Sequence, residues 1–360
     1  MSTENVIWMR ANNVRMSSLK MQCAVFYGKK DIRVESRPVP EVEPDDVLVE
    51  VRACGICGTD VSMYQGKISY GSHIIGKIFG HEVTGTIKDK GEKVKHHEIG
   101  ERVVIAPVNY CGQCYYCKKG DENLCLNWTC IGEEIDGGYA RYLRVSQKQV
   151  FTLPDNVGFE EGTFLADPVP TPLHAIRKKA NINPGDQVAV WGTGPQGCCA
   201  IQLAKLSGGT VIVIGRREKK LNLAKELGAD ITVDSDKEDV VKRVKEITRL
   251  GADVCLECGG YPEAVTQALA CVRKGGKIVM IGLQKSQPCD LEDMSWNEKG
   301  LVASLSSTYQ EFSAGIKLAE EGKLKLKSLI THRFSLEGIH KAFDLLSNRK
   351  ELVIKVIIKP

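Results

Sequence analysis

The chain has 360 residues, too many for one hydrophobic core of ordinary size, and its 42% apolar and 26% charged composition suits a globular protein with two sizeable interiors. Its 49 basic and 45 acidic side chains leave a formal charge of only +4, which argues against the dense basic surface that nucleic acid or an acidic membrane would require. No apolar run approaches the roughly 18 residues that span a bilayer. The first twenty residues, MSTENVIWMRANNVRMSSLK, lack the continuous apolar stretch of a secretory leader and are expected to form a polar extension. Fourteen cysteines in such a chain are expected as reduced thiols and metal ligands in the cytoplasm rather than as disulfides.

From Met21 to about Leu165, short apolar runs such as MQCAVFY, VLVEVRA and ERVVIA are divided by Gly, Pro and Asp clusters, the pattern of an antiparallel, strand-rich unit. From about Asp186 the chain alternates strand and helix. QVAVWG precedes a helix from about Gln196 to Ser207, and TVIVIG precedes one that ends at Gly228. ADVCLE precedes a helical stretch from about Pro262 to Lys274, and KIVMIG follows it. Continuous β-branched runs divided by helices predict a parallel, doubly wound sheet covered on both faces. The segments 311–321 and 335–347 are amphipathic helices, and ELVIKVII is a last strand able to rejoin the first unit. The expected organisation is α/β: 21–166 with 308–360 as one domain, and 167–307 as a nucleotide-binding domain.

In VAVWGTGPQG, Gly192, Gly194 and Gly197 satisfy G-x-G-x-x-G, with Pro195 and Gln196 opening the helix. The unpaired N–H groups and positive dipole end of that helix suit a pyrophosphate. Strand, glycines, helix and second strand in this order point to a dinucleotide; the competing reading is a tight turn in an ordinary α/β domain. About twenty residues on, where an NAD enzyme places a carboxylate for the ribose 2′-hydroxyl, this chain has Gly215, Arg216 and Arg217. Guanidinium groups bind a 2′-phosphate, so NADP(H) is expected over NAD(H). The alternative is that both arginines begin a solvated helix continuing through Glu218, Lys219 and Lys220.

Two sets of metal-ligand residues lie between Cys57 and Asp167. Cys111, Cys114, Cys117 and Cys125 follow C-x2-C-x2-C-x7-C, compact enough for one loop to close a tetrahedron of thiolates around structural zinc. An iron–sulfur cluster also takes four cysteines, but its usual bacterial run closes with a shorter last gap. The flanks are too polar for buried, unligated thiols. The second set, Cys57, His81, Glu82 and Asp167, mixes thiolate, imidazole and carboxylate and can leave a position open for a substrate.

GICGTD, GHE, the four-cysteine loop, DGGYARY and the glycine pattern together resemble the zinc-dependent medium-chain alcohol and polyol dehydrogenases, from Met21 onward. The resemblance implies a GroES-like antiparallel β catalytic domain joined to a Rossmann domain. It also implies two zincs per chain, with Cys57 and His81 binding the catalytic one and Glu82 as an intermittent ligand. LADPVPTPLHA resembles the stretch in which sorbitol-, threonine- and sugar-dehydrogenase-like members carry a ligand carboxylate. Asp167 holds that position, one methylene shorter than the usual Glu. A carboxylate in place of a cysteine makes the set harder and more anionic, which suits a polyhydroxylated substrate. Thr59 matches the family's proton-passing hydroxyl, and Ser62 stands where a relay histidine is usual. A homotetramer or homodimer through the nucleotide domain is implied too.

Cys54 makes C-x-x-C with Cys57 but is expected as a buried small residue, and Cys198 and Cys199 as packing groups. His96 and His97 are expected on the surface and His174 in a local hydrogen bond, while His332 and His340 carry no motif. The expected activity is hydride transfer between NADP(H) and a secondary alcohol or ketone of a polyol, sugar or related small molecule. The alternatives are a threonine- or sugar-phosphate-dehydrogenase-like specificity with NAD, and a non-catalytic nucleotide-binding or redox-sensing protein.

Overall fold

The computed structural model describes residues 19–68, 71–261, 263–283, 288–348 and 352–360; all but the end of the expected polar extension, and Pro262 at the start of an expected helix, lie outside them. The chain divides into two compact units. One takes the described residues up to Asp167 with Ile316–Glu321 and Leu326–Pro360; the other takes Pro168–Gly315 and Gly322–Lys325. No helix among the described residues is long and apolar enough to cross a membrane.

In the first unit, a hairpin of Lys20–Gly28 and Asp31–Pro38 accompanies a seven-stranded sheet. Six strands run in the order Ile330–Ser335, Lys355–Lys359, Asp46–Gly55, Glu82–Lys90, Arg102–Ile105, Val150–Thr152, and Tyr142–Ser146 also pairs with Asp46–Gly55. Neighbours are antiparallel except the parallel pair of Ile330–Ser335 and Lys355–Lys359. The strand Asp46–Gly55 is central because its apolar residues face the core: Val47, Leu48, Val49 and Ala53 are fully buried. Its far end organises the candidate site, since Gly55 pairs with Glu82 on one side and with Ile357 on the other. The end of one strand, the start of a second and the middle of a third, remote in sequence, therefore meet at one place.

The second unit is a six-stranded parallel sheet. Numbered within the unit from Gln187–Trp191, its strands lie in the order 3-2-1-4-5-6, that of a dinucleotide-binding fold with its crevice beside strand 1. Val188–Trp191 and Val211–Ile214 are wholly buried, as a sheet covered on both faces demands. The helix expected to reach Lys274 stops at Cys271, because Val272 already pairs with Ala252 as the start of the strand Val272–Met280. The strands Ile231–Asp234 and Gly300–Ala303 escape sequence reading because each has four residues, too few to establish a period. The helix Val240–Thr248 also goes unread. Residues 308–315, expected with the first unit, belong to the second, where buried Glu311 accepts from Thr308 N at 3.0 Å and its Oε2 lies 3.2 Å from His174 Nδ1.

Candidate active site

Cys57, His81, Glu82 and Asp167 converge, with one ligand atom from each lying within 4.8 Å of the others. Cys57 is the N-cap of the helix Gly58–Tyr64, and Glu82 opens the strand paired with Gly55. His81 follows Gly80, whose φ of +94° and tight contact with the Tyr139 ring require glycine. Asp167 caps the end of the helix Phe159–Ala166. Its Oδ2 lies 3.9 Å from Cys57 Sγ. Thr59 is half-buried in the first turn of the Gly58–Tyr64 helix, with Ser62 three residues on.

Asp60, which the motifs did not single out, braces this cluster. Fully buried, it accepts through Oδ2 from Cys57 N at 3.0 Å and from the Tyr139 hydroxyl at 2.8 Å, and its Oδ1 lies 3.6 Å from His81 Nδ1. Burial raises the Cys57 thiol, against the pull of His81. Burial would lower His81, but Asp60, then Cys57 and Asp167, outweigh it and hold the ring well above its usual value. Glu133, close enough to feel His81, is pushed by burial up to about 7. Acidic groups outnumber cations here, and among the described residues buried Glu82 Oε1 has no hydrogen bond. A soft thiolate beside imidazole and carboxylate, short of positive charge, fits a divalent transition metal.

Lys355 is the other residue that motif reading missed. Its ammonium, on a side chain with no exposure, pairs with Glu82 Oε2, lies 3.4 Å from Ile56 O and sits 5.6 Å from the Phe164 ring centroid. Burial would lower Lys355, but Glu82, Cys57 and Asp167 outweigh it and raise the ammonium, which stays charged. Burial also raises Glu82, with Lys355 opposing. A side chain at Gly55 would run into both partners. The signal available in the sequence was a lysine inside the apolar run ELVIKVII. Lys355→Met leaves Glu82 buried without this cation, and urea denaturation is expected to show a loss of about 3–5 kcal/mol.

Cys111, Cys114, Cys117 and Cys125 form the second cluster. The sulfur separations are 3.9 Å for Cys111–Cys117, 3.6 Å for Cys114–Cys117 and 4.0 Å for Cys114–Cys125. A tetrahedron with zinc–sulfur bonds of about 2.3 Å has edges of about 3.8 Å, whereas a disulfide is about 2.05 Å. Backbone N–H groups of Cys111 and Asn127 point at Cys125 Sγ, and that of Cys114 at Cys111 Sγ. Backbone donors, that of Cys117 first, lower Cys114 to about 6, while burial pushes Cys117 up to about 12. The lobe thus has four sulfurs at ligand spacing and amides that favour thiolate.

In the second unit Gly192 takes a φ of +106°, and a side chain on Gly197 would collide with the Gly192 carbonyl, so strand and helix approach closely. Gly194 caps the helix Pro195–Leu206 beside open space, with Pro195 and Gln196 in its first turn. Gly215 ends the strand Thr210–Gly215, and Arg216 and Arg217 follow it, both exposed. Arg216 lies 5.8 Å over the Tyr261 ring, and Arg217, with a φ of +73°, caps the helix Glu218–Glu226.

A largely antiparallel sheet bearing a mixed ligand set, with a 3-2-1-4-5-6 parallel sheet led by a glycine loop, defines a nucleotide-linked dehydrogenase of GroES-like and Rossmann parts. Residues 43–155 match the alcohol dehydrogenase GroES-like domain, and residues 195–321 match the zinc-binding dehydrogenase domain. The chain is 34% identical to a sorbitol dehydrogenase of Bacillus subtilis over 94% of its own length and 97% of the relative's. It is 32% identical to a D-arabitol-phosphate dehydrogenase of Enterococcus avium, over 89% of this chain and 92% of that one. A zinc-binding dehydrogenase from Sinorhizobium meliloti, solved bound to NADP, superposes with a TM-score of 0.87 at 32% identity, over 95% of this chain and 100% of that one. This chain belongs to the zinc-dependent medium-chain alcohol/polyol dehydrogenase family and is an oxidoreductase.

Proposed function

We propose that the protein holds two zincs and passes hydride between NADP(H), in preference to NAD(H), and a secondary alcohol of a polyol, sugar or related polar substrate. The observation that carries this reading is the convergence of Cys57, His81, Glu82 and Asp167 in one cation-seeking cluster, with His81 and Glu82 buried and Cys57 and Asp167 half-buried. When bound there, zinc supplies Lewis-acid polarisation of the substrate hydroxyl, and bound nicotinamide accepts the hydride. Asp60 fixes the Cys57 turn, Lys355 holds Glu82, and Asp167 adds an anionic oxygen suited to a polyhydroxylated substrate. Thr59 carries the substrate proton outward: Thr59→Ala is expected to slow turnover about 100-fold and Thr59→Ser little, read from kcat.

The helix at Gly194–Gly197 receives the pyrophosphate, and Arg216 and Arg217 the 2′-phosphate. NADP in the Sinorhizobium relative supports this choice. Arg216→Ala is expected to raise the KM for NADP about 10-fold to 100-fold and leave that for NAD unchanged. The strand Gly300–Ala303 ends its sheet, and Leu283, Leu291, Trp296 and Leu305 around it are exposed, which supports a homodimer or homotetramer built through this unit. A chain whose fourteen cysteines read as reduced thiols and metal ligands suits the cytoplasm, which supports that location. A panel of polyols, sugars and amino alcohols, followed by NADPH absorbance, tests the reading: reduction of NADP by sorbitol or arabitol supports it, and silence across the panel rejects it.

A further inference from the structure

Glu133 belongs to none of the roles assigned above. It lies on a turn in which Glu133 N donates to Cys130 O at 3.3 Å and Gly132 N donates to Ile135 O at 2.8 Å. The turn is pressed onto the segment leading into His81: a Cβ on Gly132 would stand 3.0 Å from Gly80 N, and Gly138 N donates to Gly80 O at 2.7 Å. Neighbouring Glu134 builds the turn by accepting from Cys130 N at 2.7 Å. The Glu133 side chain does not build it. The residue is only 6% exposed, yet its carboxylate makes no hydrogen bond or ion pair among the described residues, while it lies within electrostatic range of His81, Asp60 and Asp167. A nearly buried carboxylate without a protein donor takes its hydrogen bonds from water or from a ligand that enters the site.

We propose that Glu133 is a specificity residue, accepting a hydrogen bond from a hydroxyl of a neutral polyol and excluding the phosphorylated polyol. This rests on the polyol reading given above. Cys57, Glu82, Asp167, Asp60 and Glu133 are five acidic groups, more than Lys355 and a divalent ion would neutralise. A phosphate ester would enter against that field, whereas a hydroxyl donor would satisfy Glu133.

The test uses the zinc-loaded enzyme at pH 9 with sorbitol and sorbitol 6-phosphate, and with arabitol and its phosphate. The wild type is expected to favour the free polyol by about 100-fold or more in kcat/KM. Glu133→Gln is expected to raise the KM and the calorimetric Kd for the free polyol about 10-fold, with a smaller change in kcat and with Tm and zinc content unchanged. Glu133→Arg is expected to move the preference toward the phosphate ester by about 100-fold. Equal use of ester and free polyol by the wild type, or an unchanged KM and Kd in Glu133→Gln, would overturn the assignment while leaving the polyol reading standing. Failure to turn over any polyol would overturn both.

Discussion

Cys111→Ser is expected to lower the melting temperature by about 10 °C or more and reduce zinc by one per chain, while the protein that remains folded keeps nearly its full kcat. The lobe has no core of its own: the helix Tyr115–Lys119 buries none of its residues, and Tyr115 and Leu126 are each 68% exposed. Apart from local backbone turns, the Lys119–Asp121 ion pair and the Tyr115–Tyr116 ring contact, the four sulfurs are what ties it together, and a structural zinc contributes on the order of 10 kcal/mol to such a loop. Part of that loss falls on local unfolding of the lobe, so the global shift reports only a fraction of it. Calorimetry with metal analysis checks the prediction, and an unchanged Tm would remove the structural role.

His81→Ala is expected to be the most damaging change to catalysis, lowering kcat/KM by about 10,000-fold with the overall fold retained. Loss of Lewis-acid stabilisation worth several kcal/mol accounts for a factor of that order. The fold survives because His81 stands at the rim of the sheet and the core strand Asp46–Gly55 does not depend on it. Circular dichroism beside steady-state kinetics separates the two effects. Retention of more than about a tenth of the activity would show that the cluster does not bear the chemistry.

The sequence discloses different parts of this site for different reasons. The four-cysteine lobe is legible from spacing alone, because its ligands fall within one short stretch, Cys111 to Cys125, and close spacing in sequence keeps them close in space. Cys57 and His81 were legible only through motif resemblance, and Asp167 lies 110 residues from Cys57. The glycine loop could be read because steric demand is local: only glycine tolerates the φ at Gly192 and the contact at Gly197. Lys355 and Asp60 were not read. Lys355 reaches Ile56 O across 299 residues because the last strand pairs beside Gly55, a register that periodicity does not encode. Asp60 passed for part of a motif, and its buried contacts with the Cys57 amide, Tyr139 and His81 emerge only when the sheet is closed. Sequence pattern puts the return to the first unit at 308 and the structure puts it at 316, because the helix Tyr309–Glu320 is continuous in sequence and the His174–Glu311 contact that holds its start is not local.

Counting zinc against turnover in a single preparation puts the four-ligand cluster of Cys57, His81, Glu82 and Asp167 to the test. Two zincs per chain are expected, one of them removable by phenanthroline with loss of polyol-dependent NADP reduction and restored with it on adding zinc back, while the melting temperature moves little. A fully active enzyme with one zinc per chain, or activity that outlasts removal of the labile ion while Cys57 is open to alkylation, would contradict the proposed catalytic site.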